Sequence, residues 1–301
     1  MKPLVSACII TYNQQDYIAE AIKGALMQEL DEPYEIVVSD DCSTDDTPKI
    51  IRELAKSDPR IRVIERSKNL GMHLNWLEAI NACSGEFIAL CEGDDYWTDN
   101  RKLSKQLAVF QNDASVSCCF SDSSLLAEKS VNLRFNSYLQ ENEVDLTRTR
   151  FGINELSVSN FIPTCTVMFR KDGMLQLPDE YFQSPYADWF VHLHNAIKGD
   201  FYLILEKTAS YRLHENGAFG QIPQRDRDNV NLKCLSLLYE GYGNQTAISE
   251  ALKQSLTDSI KQKSYTFQSD GHYLRFLMLA LIGKMHDLTE FTTFARLAVR
   301  L

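Results

Sequence analysis

The chain predicts an α/β fold: a mostly parallel sheet with helices on both faces, followed by a helical C-terminal region. Three observations predict it. Through about residue 100, short β-branched apolar runs alternate with segments of helical periodicity. Acidic and polar residues gather just after those runs, at the edge where strands of a parallel sheet end. Beyond about Asp226 the pattern is helical, with no clear strand.

Leu4–Tyr12 is apolar and β-branched and reads as a buried first strand. Gln15–Gln28 follows as a helix, with Ile18, Ala21, Ile22 and Ala25 at helical spacing. Glu35–Ser39 is a second strand. Ser43 reads as the cap of a helix with Asp46 in its first turn, running through Ile50, Ile51 and Leu54. Ile61–Glu65 is a third strand, His73 to Ala82 a third helix and Phe87–Leu90 a fourth strand. This β-α-β-α-β-α-β order implies parallel pairing, with both sheet faces covered. Lys102–Phe110 then reads as a helix and Ser115–Phe120 as a strand, while residues 121–160 are polar with no clean period. Thr164–Arg170 reads as a strand, Tyr186–Ile197 as a helix, and Phe201–Leu205 and Ala209–Leu213 as two more strands. Gly217–Gln224 is the natural linker. The division expected is a catalytic domain over 1–225, with halves of about 1–112 and 113–225, and a helical region over 226–301.

The 301 residues are 44% hydrophobic, enough for a packed core, and carry a net charge of -10. No basic stripe is present, which excludes a nucleic-acid partner of the usual kind. No secretory signal and no bilayer-spanning apolar run is visible, so a cytoplasmic location is expected. The eight cysteines form no Cys-x-x-Cys pair and read as free thiols in a reducing compartment.

Three strand ends carry the chemistry. Thr11–Tyr12–Asn13 closes strand one with no glycine-rich turn, against a nicotinamide or flavin site, and no Walker A loop follows. By themselves these three residues read as turn chemistry. Ser39–Asp40–Asp41–Cys42–Ser43 closes strand two. If Ser43 caps the helix, Asp40 and Asp41 have no structural task, and a carboxylate there can accept from a ribose hydroxyl or a base N–H. Glu92, Asp94 and Asp95 follow strand four, and clustered carboxylates repel unless a cation lies among them. Oxygen donors favour Mg²⁺ or Mn²⁺ shared with substrate phosphates. A polar loop leading to the next helix is the other reading of that cluster.

Ile9–Ile10–Thr11–Tyr12–Asn13, Glu35–Ile36–Val37–Val38–Ser39–Asp40–Asp41–Cys42–Ser43–Thr44–Asp45–Asp46–Thr47, Asn69–Leu70–Gly71 and Ser84–Gly85–Glu86–Phe87–Ile88–Ala89–Leu90 before Glu92–Gly93–Asp94–Asp95 occur in that order. With them the chain resembles the family 2 glycosyltransferases of GT-A fold over roughly its first two-thirds. The resemblance implies a nucleotide-sugar donor, commonly UDP-linked, and a divalent metal, Mn²⁺ or Mg²⁺. It places Thr11, Tyr12, Asn13, Asp40, Asp41 and Asn69 at the donor nucleotide, Glu92 near the ribose and Asp94 on the metal. Glu92 stands where the family more often has Asp, and Leu74 where many members have Arg. Asp188, in Tyr186–Ala187–Asp188–Trp189, resembles the Asp of the family's Glu-Asp pair that serves as base, with Ala187 departing from the pair. An Asp in a first helical turn is also explained by the helix dipole. His192 and His194, two residues apart, point to different faces and make a poor chelating pair. Tyr211–Arg212–Leu213–His214 resembles the family's Tyr-Arg-x-His segment, which makes His214 a second metal ligand. Arg212 then serves the diphosphate or braces an acid; Asp95 and Trp97 are further acceptor or diphosphate candidates.

The function implied is inverting, non-processive, metal-dependent sugar transfer to a saccharide or glycolipid hydroxyl. The rivals are a sugar-phosphate nucleotidyltransferase and an inactive scaffold. The first should show a Gly- and Arg/Lys-rich loop after strand one, which this chain lacks; retained Asp94 and Asp188 speak against the second. The apolar stripe Tyr273, Leu274, Leu277, Met278, Leu281, Ile282 and Met285 reads as a helix packed on the catalytic domain or on a second subunit, giving a homodimer. The alternative is a peripheral helix at the inner face of the membrane.

Overall fold

The computed structural model describes residues 2–127, 133–214, 217 and 227–266. The apolar stripe at 273–285 and most of Gly217–Gln224 lie outside the described residues. β1 (Val5–Thr11), α1 (Ile18–Leu26), β2 (Tyr34–Asp40), α2 (Thr47–Ser57), β3 (Ile61–Glu65), α3 (Met72–Ala82) and β4 (Phe87–Glu92) alternate as the periodicity requires. Then come β5 (Tyr96–Trp97), α4 (Lys102–Asn112), β6 (Val116–Ala127), α5 (Tyr138–Glu141), β7 (Arg150–Phe151), α6 (Ile153–Leu156), β8 (Met168–Arg170), α7 (Ala187–Ala196) and β9 (Asp200–Leu213). Two helices, α8 (Arg227–Tyr242) and α9 (Thr246–Thr266), follow.

The sheet runs β3-β2-β1-β4-β8-β6-β9-β5, with β7 on β9. It is parallel from β3 to β4. Beyond β4 it is mixed, because β8 pairs antiparallel with both β4 and β6, while β6 and β9 run parallel. The order reverses at β1, which has β2 on one side and β4 on the other. The crevice at such a switch point is where open α/β sheets bind ligands.

Alternation along β1 sends Val5, Ala7 and Ile9 into a core with Ile18, Ile22 and Ala25 of α1, Ile51 of α2 and Leu103 and Leu107 of α4. Cys8 points to the other face, whose core takes in Trp76 and Ile80 of α3, Phe190 of α7, Leu235 and Leu238 of α8, and Ile248 and Leu252 of α9. The C-terminal helices therefore share the core of the sheet's second face. All eight cysteines are free, and all but Cys42 are buried. Among the described residues no helix is long and apolar enough to cross a membrane.

Three sequence expectations need correction. α2 starts at Thr47, not near Ser43: the Thr47 N–H is taken by Asp45 Oδ1 at 3.0 Å, and the Ser43 hydroxyl faces Asp40. Thr164–Thr166 is a 3-10 turn, not a strand, and the Thr166 hydroxyl donates to the Pro163 carbonyl at 2.7 Å. Phe201–Leu205 and Ala209–Leu213 are one strand, β9, whose register against β6 shifts around Asp122. The polar residues Glu206 and Lys207 interrupt the apolar pattern there, and a bulge absorbs them without ending the strand.

Candidate active site

The pairing register sets the site. Thr11 of β1 lies opposite Asp40 of β2, and Ile10 opposite Glu92 of β4, so three strand ends share one edge. The Gly93 N–H donates to the Ile10 carbonyl at 2.8 Å. A Cβ on Gly93 would lie 2.4 Å from Gln14 Oε1 and 2.7 Å from Thr11 Oγ1. Only glycine lets the turn after β4 close this tightly on the end of β1.

At the β1–β2 edge the side chains tie loops together. Asn13 adopts a left-handed φ of 53°; its N–H donates to Ser43 Oγ at 2.8 Å and its Oδ1 accepts from the Thr44 N–H at 2.8 Å. Thr11 Oγ1 donates to Gln14 Oε1 at 2.8 Å, and the Tyr12 side chain is exposed. Asp40 and Asp41 are buried, and both have structural work after all. Asp40 accepts from the Ser43 N–H at 3.1 Å. Asp41 accepts from the N–H groups of Leu70 and Gly71 at 2.8 and 2.9 Å, while Asn69 Nδ2 donates to the Asp41 carbonyl at 3.0 Å. These bonds do not exhaust the carboxylate lone pairs, so Asp40 holds Ser43, Asp41 holds the loop at residues 69–71, and both keep acceptor capacity.

The β4 end meets the end of β9. Asp94 Oδ2 lies 3.0 Å from His214 Nε2. Asp95 is buried and Oδ1 accepts from the Arg212 N–H at 2.7 Å. Burial, then the charge of Asp94, push Asp95 well above the usual carboxylate range, against the pull of that N–H. Glu92 is pushed well above it too, by burial first and then by Asp95, Asp94 and Asp188. Glu92 Oε2 is buried with no hydrogen-bond partner among the described residues. Arg212 braces this turn. Its guanidinium bonds Glu20 and the Asp94 carbonyl and lies 5.0 and 4.7 Å from the Tyr17 and Tyr96 ring centroids.

Trp97 does not reach the site. It is buried, its indole N–H donates to the Cys165 carbonyl at 2.8 Å, and the Lys102 ammonium lies 4.3 Å from its ring. Burial lowers the Lys102 pKa to about 8. The sequence reading of Trp97 as an acceptor or diphosphate contact is therefore wrong: the apolar packing beneath the sheet edge claims the ring.

Asp188 sits in the first turn of α7. Its Oδ2 accepts from Asn160 Nδ2 at 2.6 Å and from Thr164 Oγ1 at 3.1 Å. Its Oδ1 accepts the Trp189 N–H at 2.9 Å. His192 is buried one turn on, with Nδ1 3.1 Å from Asn160 Oδ1, and His194 is on another face of the helix.

A cleft of about 570 Å³ joins these parts, with Glu92, Asp94, Asp95, Arg212 and His214 together with Asp188 in its wall. Thr11, Tyr12, Asn13, Asp40, Asp41 and Asn69 are not in that wall; they form the adjoining strand ends. Among the described residues four carboxyl side chains face one Arg and one His in the wall, an excess of negative charge that favours a cation beside a dianionic ligand. Among the described residues no three His, Cys, Asp or Glu side chains gather as a complete metal cage. Asp94 and His214 nonetheless fit a cation that takes its remaining ligands from phosphate and water. Sequence reasoning missed Tyr138, Asn160 and Asn231 in the wall. Asn160 closes the stretch without periodicity, and Asn231 follows every motif, so neither carried a signal.

The family model for glycosyl transferase family 2 matches residues 6–173. TuaG of Bacillus subtilis, whose name assigns it to teichuronic acid biosynthesis, is 30% identical over 71% of this chain and 81% of its own. Uncharacterized Rv1520 of Mycobacterium tuberculosis is 35% identical over 71% of this chain, and the match spans 60% of its length. A Campylobacter jejuni protein named as a GalNAc(5)-diNAcBac-PP-undecaprenol beta-1,3-glucosyltransferase is 24% identical over 99% of this chain and 90% of its own. Among solved structures, Staphylococcus aureus TarS with UDP matches at a TM-score of 0.55 and 18% identity, over 86% of this chain and 80% of that one. The mannosyltransferase PcManGT of Pyrobaculum calidifontis, solved with GDP-Man and Mn²⁺, matches at 0.53 and 15%, over 99% and 86%. The chain belongs to glycosyltransferase family 2 and has the GT-A fold.

Proposed function

We propose that this protein is an inverting, metal-dependent glycosyltransferase that moves one sugar from a nucleoside-diphosphate donor to an acceptor hydroxyl. The observation that carries this reading is the cleft with Asp94 and His214 toward one part of its wall and Asp188 in another. Donor loops at Thr11, Asn13, Asp41 and Asn69 and the half-buried acid Glu92 would hold the nucleoside. UDP is the favoured nucleotide, supported by the fold neighbour solved with UDP. Mn²⁺ is the favoured ion, since imidazole suits it and a second neighbour was solved with it. A divalent cation held by Asp94 and His214 would offset negative charge on the leaving diphosphate.

The transfer is a single displacement. The acceptor oxygen bonds to the anomeric carbon as the bond from that carbon to the diphosphate oxygen breaks, and the acceptor proton passes to Asp188. Asn160 and Thr164 occupy Oδ2, so Oδ1, with only one N–H on it, is the oxygen that receives the proton. Arg212 keeps the Asp94–Asp95 turn in place by its bonds to the Asp94 carbonyl and to Asp95. The chain has no Gln-x-x-Arg-Trp segment of the kind that processive members of the family usually carry, which favours single additions over polymerisation. A lipid-linked saccharide acceptor is supported by the relative named for an undecaprenol-linked substrate, and would place the enzyme at the inner face of the cell membrane.

The test is a panel of UDP- and GDP-sugars with Mn²⁺, scored by release of free nucleoside diphosphate. NMR of the product fixes the anomeric configuration. Release with retained configuration would overturn inversion, and full release in EDTA would overturn metal dependence. Pyrophosphate release from a nucleoside triphosphate and a sugar phosphate would favour a nucleotidyltransferase.

A further inference from the structure

We infer that Asn160 and His192 form a two-residue relay that aims the Asp188 carboxylate, with His192 fixed as the Nδ1–H tautomer. The inference rests on Asp188 as the base. Asp188 Oδ2 as a carboxylate can only accept, so Asn160 must turn its amide nitrogen toward it, at 2.6 Å. That turn leaves Asn160 Oδ1, an acceptor, facing His192 Nδ1 at 3.1 Å. The imidazole nitrogen must then be the donor. A donating His192 Nδ1–H then holds Asn160 with its amide nitrogen toward the base.

The surroundings keep this arrangement in one state. His192 is buried, with Phe201 set edge-on at 6.4 Å, and its Nε2 has no hydrogen-bond partner among the described residues. An imidazolium there would bury an unpaired N–H and a charge, and burial lowers the His192 pKa to about 4. The ring therefore stays neutral across the working range, with its proton on the nitrogen that has a partner. His192 lies on the same helix as Asp188, one turn away, while Asn160 comes from the loop after α6. The relay thus pins that loop to the helix that carries the base. Thr164 supplies the second donor to Oδ2 from a third segment.

The test uses the full chain and hydrolysis of the most readily cleaved nucleotide sugar of the panel, with Mn²⁺ present. H192L removes the donor at nearly constant volume, and H192N restores an N–H close to the position of Nδ1. N160A and H192L should each lower kcat by about 10- to 100-fold. Titrated UDP affinity should stay within a factor of about two, because the base faces the acceptor. H192N should recover most of the rate that H192L loses, whereas H192Q, whose donor lies near the Nε2 position, should not. In long-range ¹⁵N–¹H spectra His192 should be the Nδ1–H tautomer and should not titrate between pH 5.5 and 8.5. Wild-type kcat in H192L, equal loss in H192N and H192L, or an Nε2–H tautomer would each overturn the relay. Undiminished hydrolysis by D188N would instead overturn Asp188 as the base, and the tautomer measurement still decides the geometry.

Discussion

Asp94 Oδ2 and His214 Nε2 meet at 3.0 Å across 120 residues of sequence. One follows β4 and the other follows β9, strands that are not neighbours in the sheet. The bridge between them is Arg212, whose backbone N–H bonds Asp95 and whose guanidinium bonds the Asp94 carbonyl. The pair is therefore fixed by a second set of bonds that does not involve either of its own side chains.

That bracing predicts a separable metal defect. D94N should remain folded, with a melting temperature close to wild type, because the backbone bond from Arg212 survives. It should lose the Mn²⁺-dependent part of UDP binding, read by calorimetry with and without Mn²⁺. Binding of UDP that is unchanged in D94N would remove Asp94 from the metal site.

Asp188 predicts the opposite pattern. D188N should lower turnover by roughly 10²- to 10⁴-fold while UDP binding persists. Stopped turnover with intact binding is the signature of a lost base. If D188N fails to bind UDP, the residue belongs to the donor site.

Asp41 should show a mixed effect, since it bonds two loop N–H groups and sits at the proposed donor edge. D41A should weaken nucleotide binding and also cost roughly 1–3 kcal/mol of stability from the stranded N–H groups, read in urea. Loss of binding with full stability would mean that water replaces the carboxylate on the loop at residues 69–71.

Gly93 offers a steric test of the same edge. Its missing Cβ would fall 2.4 Å from Gln14 Oε1 and 2.7 Å from Thr11 Oγ1. G93A should displace Thr11 and raise the Kd for UDP by about tenfold or more, a cost of at least about 1.4 kcal/mol. An unchanged Kd would show that Thr11 is not a nucleotide contact.

His192 predicts a pH dependence of stability. Its pKa falls from the ordinary 6.5 to about 4 on folding, so between these values the unfolded chain binds more protons than the native one. The contribution is fully present above pH 6.5 and is lost as pH falls to 4, by roughly 3 kcal/mol in total. The urea midpoint of wild type should drop more steeply over that window than that of H192N, which has no titrating ring. Parallel slopes would place the His192 proton affinity near its ordinary value.

Much of this was legible in the sequence for local reasons. Alternation of β-branched and helical periods over Val5–Glu92 depends on each segment's own apolar pattern, so four parallel strands and three helices could be located one by one. Strand ends of a parallel sheet share an edge, so acids after β2 and β4 had to lie on that edge. What adjoins them was decided elsewhere. Burial of Trp97, the bulge that keeps β9 continuous, and the task of Asp41 on Leu70 and Gly71 all come from partners distant in sequence. Asn160 had no periodic signal because its role is two hydrogen bonds from an irregular loop, to Asp188 and His192, and a hydrogen bond has no sequence period. The sequence determined which elements form and which residues stand at their ends; only the packing of β6, β8, β9 and α7 against the parallel half decided which of those ends meet, because contact at 3 Å depends on three-dimensional register and not on pattern.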